Sequence, residues 1–365
     1  MRSRQAVRHP ELLVAIAAGA IVFVGAVLFT TMVTVGRSTI TYAPAYPHPS
    51  NGIETALDQF DGQGNAAIAM DPTLARPASW QSGGPEAAYR YARPLFGWLA
   101  WAGSLGQPGG VAWVLVVLTG VGTGVLLYGM ALLASRFGRD PAHALVILVT
   151  PYGLIASFAV GMGDAFGAGL ALVGLHRWLG GRRWSAVLLF TLAALCRESL
   201  LLMPFAIGLW ELRERRAWRW VLPLVVPAVV FATWLAIVKV RAGYFPSDFQ
   251  ASDNFGRPFR GLVTAARRDW TSFDWAWFLL AIAIVVLGIR RRLHPVVPWI
   301  AGAYAAFMVP LGAAVWYSVF DWGRVFLPLG AICVVALLPI QRVELGEHVG
   351  SDDVGQPRDR LELLE

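Results

Sequence analysis

The chain has 365 residues, of which 56% are hydrophobic and only 15% are charged, and its mean hydropathy is +0.56. Soluble domains contain about 25% charged residues, so this composition excludes an ordinary globular domain and indicates a protein that crosses a membrane several times. The net charge is +7, but the 29 arginines stand in short clusters between apolar runs, a pattern typical of membrane topology signals and not of a nucleic-acid-binding surface.

The first apolar run, residues 12–36, is longer than the 7–15 residue apolar core of a signal peptide and predicts an uncleaved signal anchor. Nine further apolar segments follow it, each bounded by arginines, Pro/Gly or a polar turn. They are residues 111–134, 142–161, 164–179, 185–197, 199–211, 218–238, 275–289, 296–316 and 324–341. The sequence therefore predicts an all-α, polytopic transmembrane helix bundle of about 10 spans, some of them short or re-entrant.

The arginine clusters predict the orientation of this bundle. Most of them fall in the short loops on one side, which should be cytoplasmic together with both termini. The two long loops, residues 37–110 and 239–274, should then face outward. Residues 1–341 form a single membrane domain in this interpretation, and the charged tail 342–365 should be disordered. The bias towards Arg, Ala, Gly and Val suggests a bacterium, and hence its inner membrane.

Segment 185–211 permits two topologies. Its length makes about 40 Å of helix, enough for one tilted crossing. Arginine-rich sequences, GGRRW and ELRERRAWRW, stand on both flanks, and a single crossing would place them on opposite sides. Two short helices that meet at Cys196, Arg197 and Glu198 keep both clusters on one side. The sequence favours this hairpin, whose apex must lie within protein.

The first long loop contains the polar stretch QFDGQGNAAIAMDP and, after a spacer, YRYARP. Asp61 is the best candidate for chemistry, because a carboxylate there can accept a proton from a sugar hydroxyl or bind a divalent cation; Asp-Gly is also a common turn pair. Asp71 is interpreted first as a turn residue and second as a metal ligand. Arg90 and Arg93 fit phosphate recognition through the guanidinium fork, or simple interfacial anchoring.

Other charged residues stand at the ends of predicted spans, namely Asp164, Arg197, Glu198 and Arg324. Arg197 needs an anion if it lies at a hairpin apex, and this is either Glu198 or a ligand phosphate. The spacing of Arg324 and Asp321 predicts a local ion pair. A second interpretation is that Arg324 contacts the phosphate. No span has an ionisable residue near its middle if the hairpin forms, which argues against a pump or coupled transporter.

These motifs resemble bacterial members of the GT-C superfamily, which are integral-membrane glycosyltransferases that use polyprenyl-phosphate-linked sugars. The resemblance rests on DGQ at 61–63, YRYARP at 89–94, the short helix after it, and ALCRESLLLMP at 194–204. Related sequences tend to have an aromatic pair after the DGQ-like triplet, where this chain has Gly64 and Asn65. The resemblance covers most of the chain in layout.

The resemblance implies transfer of a hexose or pentose to an extracytoplasmic glycan, lipid or protein acceptor. Asp61 is then the general base, and Arg197 binds the donor phosphate. Arg90, Arg93, Arg324, Glu198 and Asp164 complete the substrate-binding set. Asp61 and Asp71 could hold a divalent cation, Mg²⁺ or Mn²⁺, and no other cofactor is indicated. Membrane lipids are the other expected partners, and nucleic acid is not.

Two alternatives stay open at this point. A flippase or transporter of lipid or sugar could use the same arginines, but it predicts polar residues at mid-membrane and two related halves, which the sequence lacks. A non-catalytic envelope assembly protein on the same scaffold is consistent with Gly64 and Asn65, the departure from the aromatic pair.

Overall fold

The computed structural model describes residues 9–32, 53, 57, 62–77, 83–152, 161–214, 218–248 and 254–341. Over these residues the chain is helical, and its only β-type pairings are two isolated bridges, which confirms the all-α prediction. The α-helices in chain order are α1 (Pro10–Met32), α2 (Gly62–Met70), α3 (Gly84–Tyr91), α4 (Leu95–Gly103), α5 (Pro108–Arg136), α6 (Asp164–Leu179), α7 (Arg183–Cys196), α8 (Leu202–Arg213), α9 (Val221–Ala242), α10 (Arg260–Arg268), α11 (Ser272–Arg290), α12 (Val296–Met308), α13 (Ala313–Trp316) and α14 (Val319–Leu337). Short 3-10 helices span Pro141–Val149, Glu198–Leu201, Trp218–Trp220 and Pro246–Asp248.

Five helices of the described chain are long and apolar enough to cross a membrane: α1, α5, α9, α11 and α14. They match five of the predicted spans. α9 and α11 leave most of their apolar side chains uncovered by protein, including the run of exposed valines at Val225, Val226 and Val229. Such a surface requires an apolar solvent, so the chain is a membrane protein.

Four predicted spans form shorter helices. α6, α7, α8 and α12 contain 16, 14, 12 and 13 residues, which extend about 18–24 Å at 1.5 Å per residue. A membrane core is about 30 Å thick, so these helices cannot each cross it fully. The segment predicted at 142–161 begins with the 3-10 helix Pro141–Val149, and its second half lies outside the described residues, as does the tail 342–365.

One end of the bundle gathers arginines and is called the basic end. Here the start of α1 meets the end of α5, and the end of α14 returns beside the loop after α5. The contacts are Ser135 Oγ to Glu11 Oε1 (2.7 Å), Arg136 Nη2 to the Leu179 carbonyl (2.5 Å), Arg139 Nη1 to the Leu338 carbonyl (3.0 Å) and Arg183 Nη1 to Glu211 Oε1 (3.1 Å). The predicted grouping of these loops is therefore observed; which side of the membrane they face stays a prediction.

α7 and α8 form the hairpin that the sequence favours. Arg183 begins α7 and Glu211 stands near the end of α8, and their ion pair brings these two ends together. Trp178 Nε1 also donates to Glu211 Oε1 at 2.9 Å. At the other end the helix stops at Arg197, whose backbone is extended. Residues 197 and 198 are therefore the hairpin apex, at the end of the bundle opposite the arginine clusters.

The helices α2, α3 and α4 form a cap on this opposite end. Gly97 allows α4 to approach α2 closely, because an added Cβ would lie 2.5 Å from the side chain of Ile68. Trp98 on α4 donates to the Pro72 carbonyl at 2.9 Å, and Trp234 on α9 donates to the Tyr91 carbonyl at 2.6 Å. The first of these bonds lies within the cap, and the second holds the cap to the membrane helix α9.

Two tryptophans near the start of α14 belong to the protein core. Trp316 and Trp322 are almost completely buried. They pack around Phe278 with ring centroids 6.1 and 5.8 Å away, and Trp316 stacks on Phe326. This cluster joins α11, α13 and α14, so the two tryptophans stabilise a contact between helices.

Candidate functional site

Four separate parts of the chain bring charged side chains together opposite the basic end. Arg93 lies between α3 and α4, Asp164 is the first residue of α6, Arg197 and Glu198 form the hairpin apex, and Arg324 lies in the second turn of α14. The structure thus places five of the predicted substrate-binding residues side by side. Their roles remain predictions, but their convergence is a property of the fold.

Arg93 and Glu198 form a bidentate ion pair. Arg93 Nε donates to Oε2 at 2.7 Å, and Nη2 donates to Oε1 at 2.6 Å. This is the strongest geometry available to a guanidinium and a carboxylate. Burial raises the pKa of Glu198, but the charge and hydrogen bonds of Arg93 outweigh it and lower the pKa to about 2. Glu198 is therefore ionised at any physiological pH, and the pair ties the cap to the hairpin.

Arg197 pairs with Asp164 through Nη1, not with its neighbour Glu198. Of the two anions predicted for Arg197, Glu198 is therefore wrong, and a ligand phosphate stays a prediction. Adjacent residues point in different directions, so Glu198 faces the cap while Arg197 faces α6. Arg197 is 8% exposed, and its Nε has no hydrogen-bond partner within the part of the chain described. The Asp164 carboxylate therefore neutralises this guanidinium.

Arg324 forms the local pair that its spacing predicts. Its Nη2 lies 3.2 Å from Asp321 Oδ1, one helical turn earlier. Nη1 contacts Met162 Sδ at 3.3 Å, so the arginine also reaches the turn before α6. Ser318 donates to the other oxygen of Asp321 at 2.8 Å. This pair joins the start of α14 to the same site as Asp164.

Arg90 lies over the first turn of α2. The space beside Gly64 is filled by the Arg90 side chain, since an added Cβ at Gly64 would lie 3.2 Å from Arg90 Cδ. The next residue, Asn65, donates to the Gly161 carbonyl at 2.7 Å. Gly64 therefore leaves room for Arg90, and Asn65 anchors the turn before Asp164.

These residues line two adjoining cavities. The larger has a volume of about 710 Å³, and arginines, carboxylates and apolar side chains all line it. The smaller has a volume of about 50 Å³. Tyr89, Arg90 and Arg93 line both. The larger is bordered by Arg197, Glu198, Ser199, Asp321 and Arg324 and by Phe231, Leu235, Phe307 and Val325; the smaller is bordered by Asn65, Asp164 and Cys196.

Of the two candidate metal ligands, one lies outside the described residues and the other has a structural role. Asp61, the predicted general base, lies outside the described residues; Gly62, which follows it, is buried and adjoins Gly161, whose added Cβ would lie 3.1 Å from the Gly62 Cα. Asp71 accepts backbone hydrogen bonds from Ala75 (2.9 Å) and Arg76 (2.8 Å), so it stabilises a turn. Over the described part of the chain, no three His, Cys, Asp or Glu side chains group as metal ligands.

Sequence reasoning missed two kinds of residue at the site. Apolar residues such as Phe231 and Phe307 line the larger cavity, but within a membrane helix nothing distinguishes them from lipid-facing positions. Ser199 is 4% exposed and also lines it. The sequence feature that could have identified Ser199 is its position directly after Arg197 and Glu198 at the hairpin apex.

Comparison with family models, with curated proteins and with solved structures finds no match to this chain.

Proposed function

We propose that this protein is a membrane glycosyltransferase that moves a sugar from a polyprenyl-phosphate donor to an acceptor hydroxyl. The observation that supports this proposal most directly is the larger cavity. Its wall contains both guanidinium groups and phenyl and aliphatic side chains, and a lipid-linked phosphate sugar combines a charged headgroup with an apolar chain.

Two candidate membrane spans contribute apolar side chains to the cavity wall. Phe231 and Leu235 lie on α9 and Val325 lies on α14, both of which are long enough to span a membrane. A prenyl chain that follows α9 can therefore reach the cavity while it remains in an apolar environment. Its phosphate meets Arg197, which stabilises the charge that grows on the leaving group.

The proposed reaction is a single displacement. The acceptor oxygen attacks the anomeric carbon as Asp61 accepts its proton. The bond from the anomeric carbon to the phosphate oxygen breaks, and the lipid phosphate leaves with the electron pair. One displacement of this kind inverts the anomeric centre. Asp164, Glu198 and Asp321 hold arginines in place in this scheme.

An Asp61→Asn variant tests this scheme. The purified wild-type protein, given a radiolabelled polyprenyl-phosphate sugar and membrane extract as acceptor, should release polyprenyl phosphate and label the acceptor. The variant should lose about 100-fold or more of that rate because it lacks the base, and should bind the donor with unchanged affinity. Asp71→Asn is the matched control, since Asp71 only caps a turn, and it should retain transfer.

Other results would favour other functions. Full transfer by Asp61→Asn removes Asp61 from the chemistry. Movement of the intact donor across reconstituted vesicles without sugar release would indicate a flippase. Donor binding with neither release nor movement would indicate a non-catalytic assembly protein.

A further inference from the structure

The helix α10 presents a row of exposed arginines at the end of the bundle opposite the basic end. Arg260 and Arg267 are seven residues apart, which is two helical turns, so they lie on one face of the helix, and both are exposed. Gly261 and Ala265 on the other side are buried, and Gly261 lies so close to the Leu311 carbonyl that an added Cβ would not fit. The ion pairs measured over the described residues include neither arginine. The packed side therefore fixes α10 in place while its arginine row faces away from the protein.

An exposed apolar edge runs beside the arginine row. Phe259, directly before α10, and Val263 are four residues apart and lie on the same side of the helix; they are 54% and 45% exposed. The helix thus has a packed side, a row of arginines and an apolar edge. Helices that lie in a membrane interface have this pattern, with apolar side chains among the acyl chains and arginines at the level of the phosphates. An arginine row that binds a partner in water needs no such edge.

The connection to α11 places α10 at the depth of the lipid headgroups. α10 ends at Arg268, and the candidate membrane span α11 begins at Ser272, so the two helix ends are at most about 14 Å apart along the chain. Trp270 between them donates to the Trp316 carbonyl at 2.6 Å, which holds this junction against α13. The segment before α10 is fixed as well, because the Phe259 N–H donates to the Val309 carbonyl at 2.8 Å.

We propose that Arg260 and Arg267 bind the headgroup phosphates of anionic phospholipids, with Phe259 and Val263 inserted among the acyl chains. The positive charge of the row is complementary to an anionic lipid surface and attracts it over a zwitterionic one. Arginines at this end of the bundle also run against the segregation that predicts the topology, and a lipid-binding role explains them. The proposal is independent of sugar transfer and of the two cavities.

The test is lipid photolabelling of the full-length protein in phosphatidylcholine nanodiscs. Each sample contains a trace of radiolabelled, photoactivatable phosphatidylglycerol or phosphatidylcholine, and chymotryptic cleavage after Phe259 and Trp270 releases α10 for counting. In the wild type, phosphatidylglycerol should label this peptide about tenfold more than phosphatidylcholine, since each arginine adds to the attraction. Arg260→Gln combined with Arg267→Gln should bring the ratio close to one with an unchanged Tm. Lysine at both positions should preserve most of the preference because it keeps the charge.

Lys239→Gln combined with Arg241→Gln is the matched control. Both residues are exposed near the end of α9, so this variant removes the same number of charges away from α10 and should leave the labelling ratio of the α10 peptide unaffected. Equal labelling by the two lipids in the wild type would overturn the proposal. A preference that survives the double glutamine variant of α10 would overturn it too.

A second measurement separates a lipid surface from an acidic partner in water. Both native cysteines are buried, so a nitroxide can be attached selectively at Val263→Cys in the same nanodiscs. Its spin relaxation should respond more strongly to oxygen, which concentrates in the bilayer, than to a water-soluble nickel complex. The opposite response would place this edge in water, overturn the lipid assignment and favour an acidic soluble partner for the arginine row.

Discussion

At the scale of single residues, the site consists of arginines whose carboxylate partners come mostly from distant parts of the chain. The sequence neighbours Arg197 and Glu198 do not pair with one another. Arg197 pairs with Asp164, and Glu198 pairs with Arg93. An isolated charge in a membrane bundle is costly, so each pair both neutralises a charge and joins two segments. Removing one member leaves the other without its partner, which costs more than losing the contact itself.

The Arg93–Glu198 pair predicts a defined pH dependence. Its carboxyl has a pKa of about 2, below the ordinary value of 4.5, so the pair stabilises the fold fully above about pH 5 and is lost as the pH falls towards 2. Glu198→Gln should therefore lower the Tm in detergent at pH 7, by an amount equivalent to about 1–2 kcal/mol. The difference from wild type should shrink steadily in a Tm series taken from pH 6 to pH 3.

Glu214→Gln is the control for this series, because Glu214 is an exposed residue at the end of the same hairpin. It should follow the wild type at every pH. A Glu198→Gln deficit that grew on acidification would show that Glu198 is stabilised in its protonated form, contrary to the geometry of the pair.

At the scale of helices, close packing at glycine positions holds the hairpin apex in place. Gly167 on α6 faces the end of α7, and an added Cβ there would lie 2.7 Å from both Cys196 Cβ and Leu200 Cδ1. These atoms belong to residues on either side of Arg197. The position of the arginine therefore depends on how closely α6 and α7 approach one another.

Gly167→Ala should displace the apex and Gly302→Ala should not. The first substitution overpacks the contact with Cys196 and should destabilise the protein by about 1–3 kcal/mol, with weaker binding of polyprenyl monophosphate as Arg197 moves. Gly302 lies in α12 with no atom within 4 Å of an added Cβ, so alanine there should stabilise the helix by about 0.5–1 kcal/mol. Thermal unfolding and binding of polyprenyl monophosphate should be measured on both variants. Equal affinity of Gly167→Ala and wild type for this ligand would show that the apex tolerates the shift.

At the scale of the whole molecule, apolar length and arginine position predicted more of the fold than of the site. The five long helices and the α7–α8 hairpin follow from these two signals. The short helices were harder to delimit, since a 13-residue helix and a full span have similar composition. At the site, the sequence showed which charges were unusual, but the pairing of Arg197 with Asp164 depends on how α6 packs against α7. The apolar cavity wall had no sequence signal at all.

The orientation of the molecule rests on the arginine pattern alone and can be measured with introduced cysteines. Both native cysteines are buried, so background labelling should be low. Ser185 is exposed at the basic end, and Ser272 is exposed at the start of α11, where the Asp274 carboxylate accepts from the Val319 backbone N–H of α14 at 3.2 Å. In right-side-out membrane vesicles, an impermeant maleimide should label Ser272→Cys at once and Ser185→Cys only after permeabilisation, because arginine-rich loops stay cytoplasmic. The reverse order would place the cavity on the cytoplasmic side and exclude an extracytoplasmic acceptor.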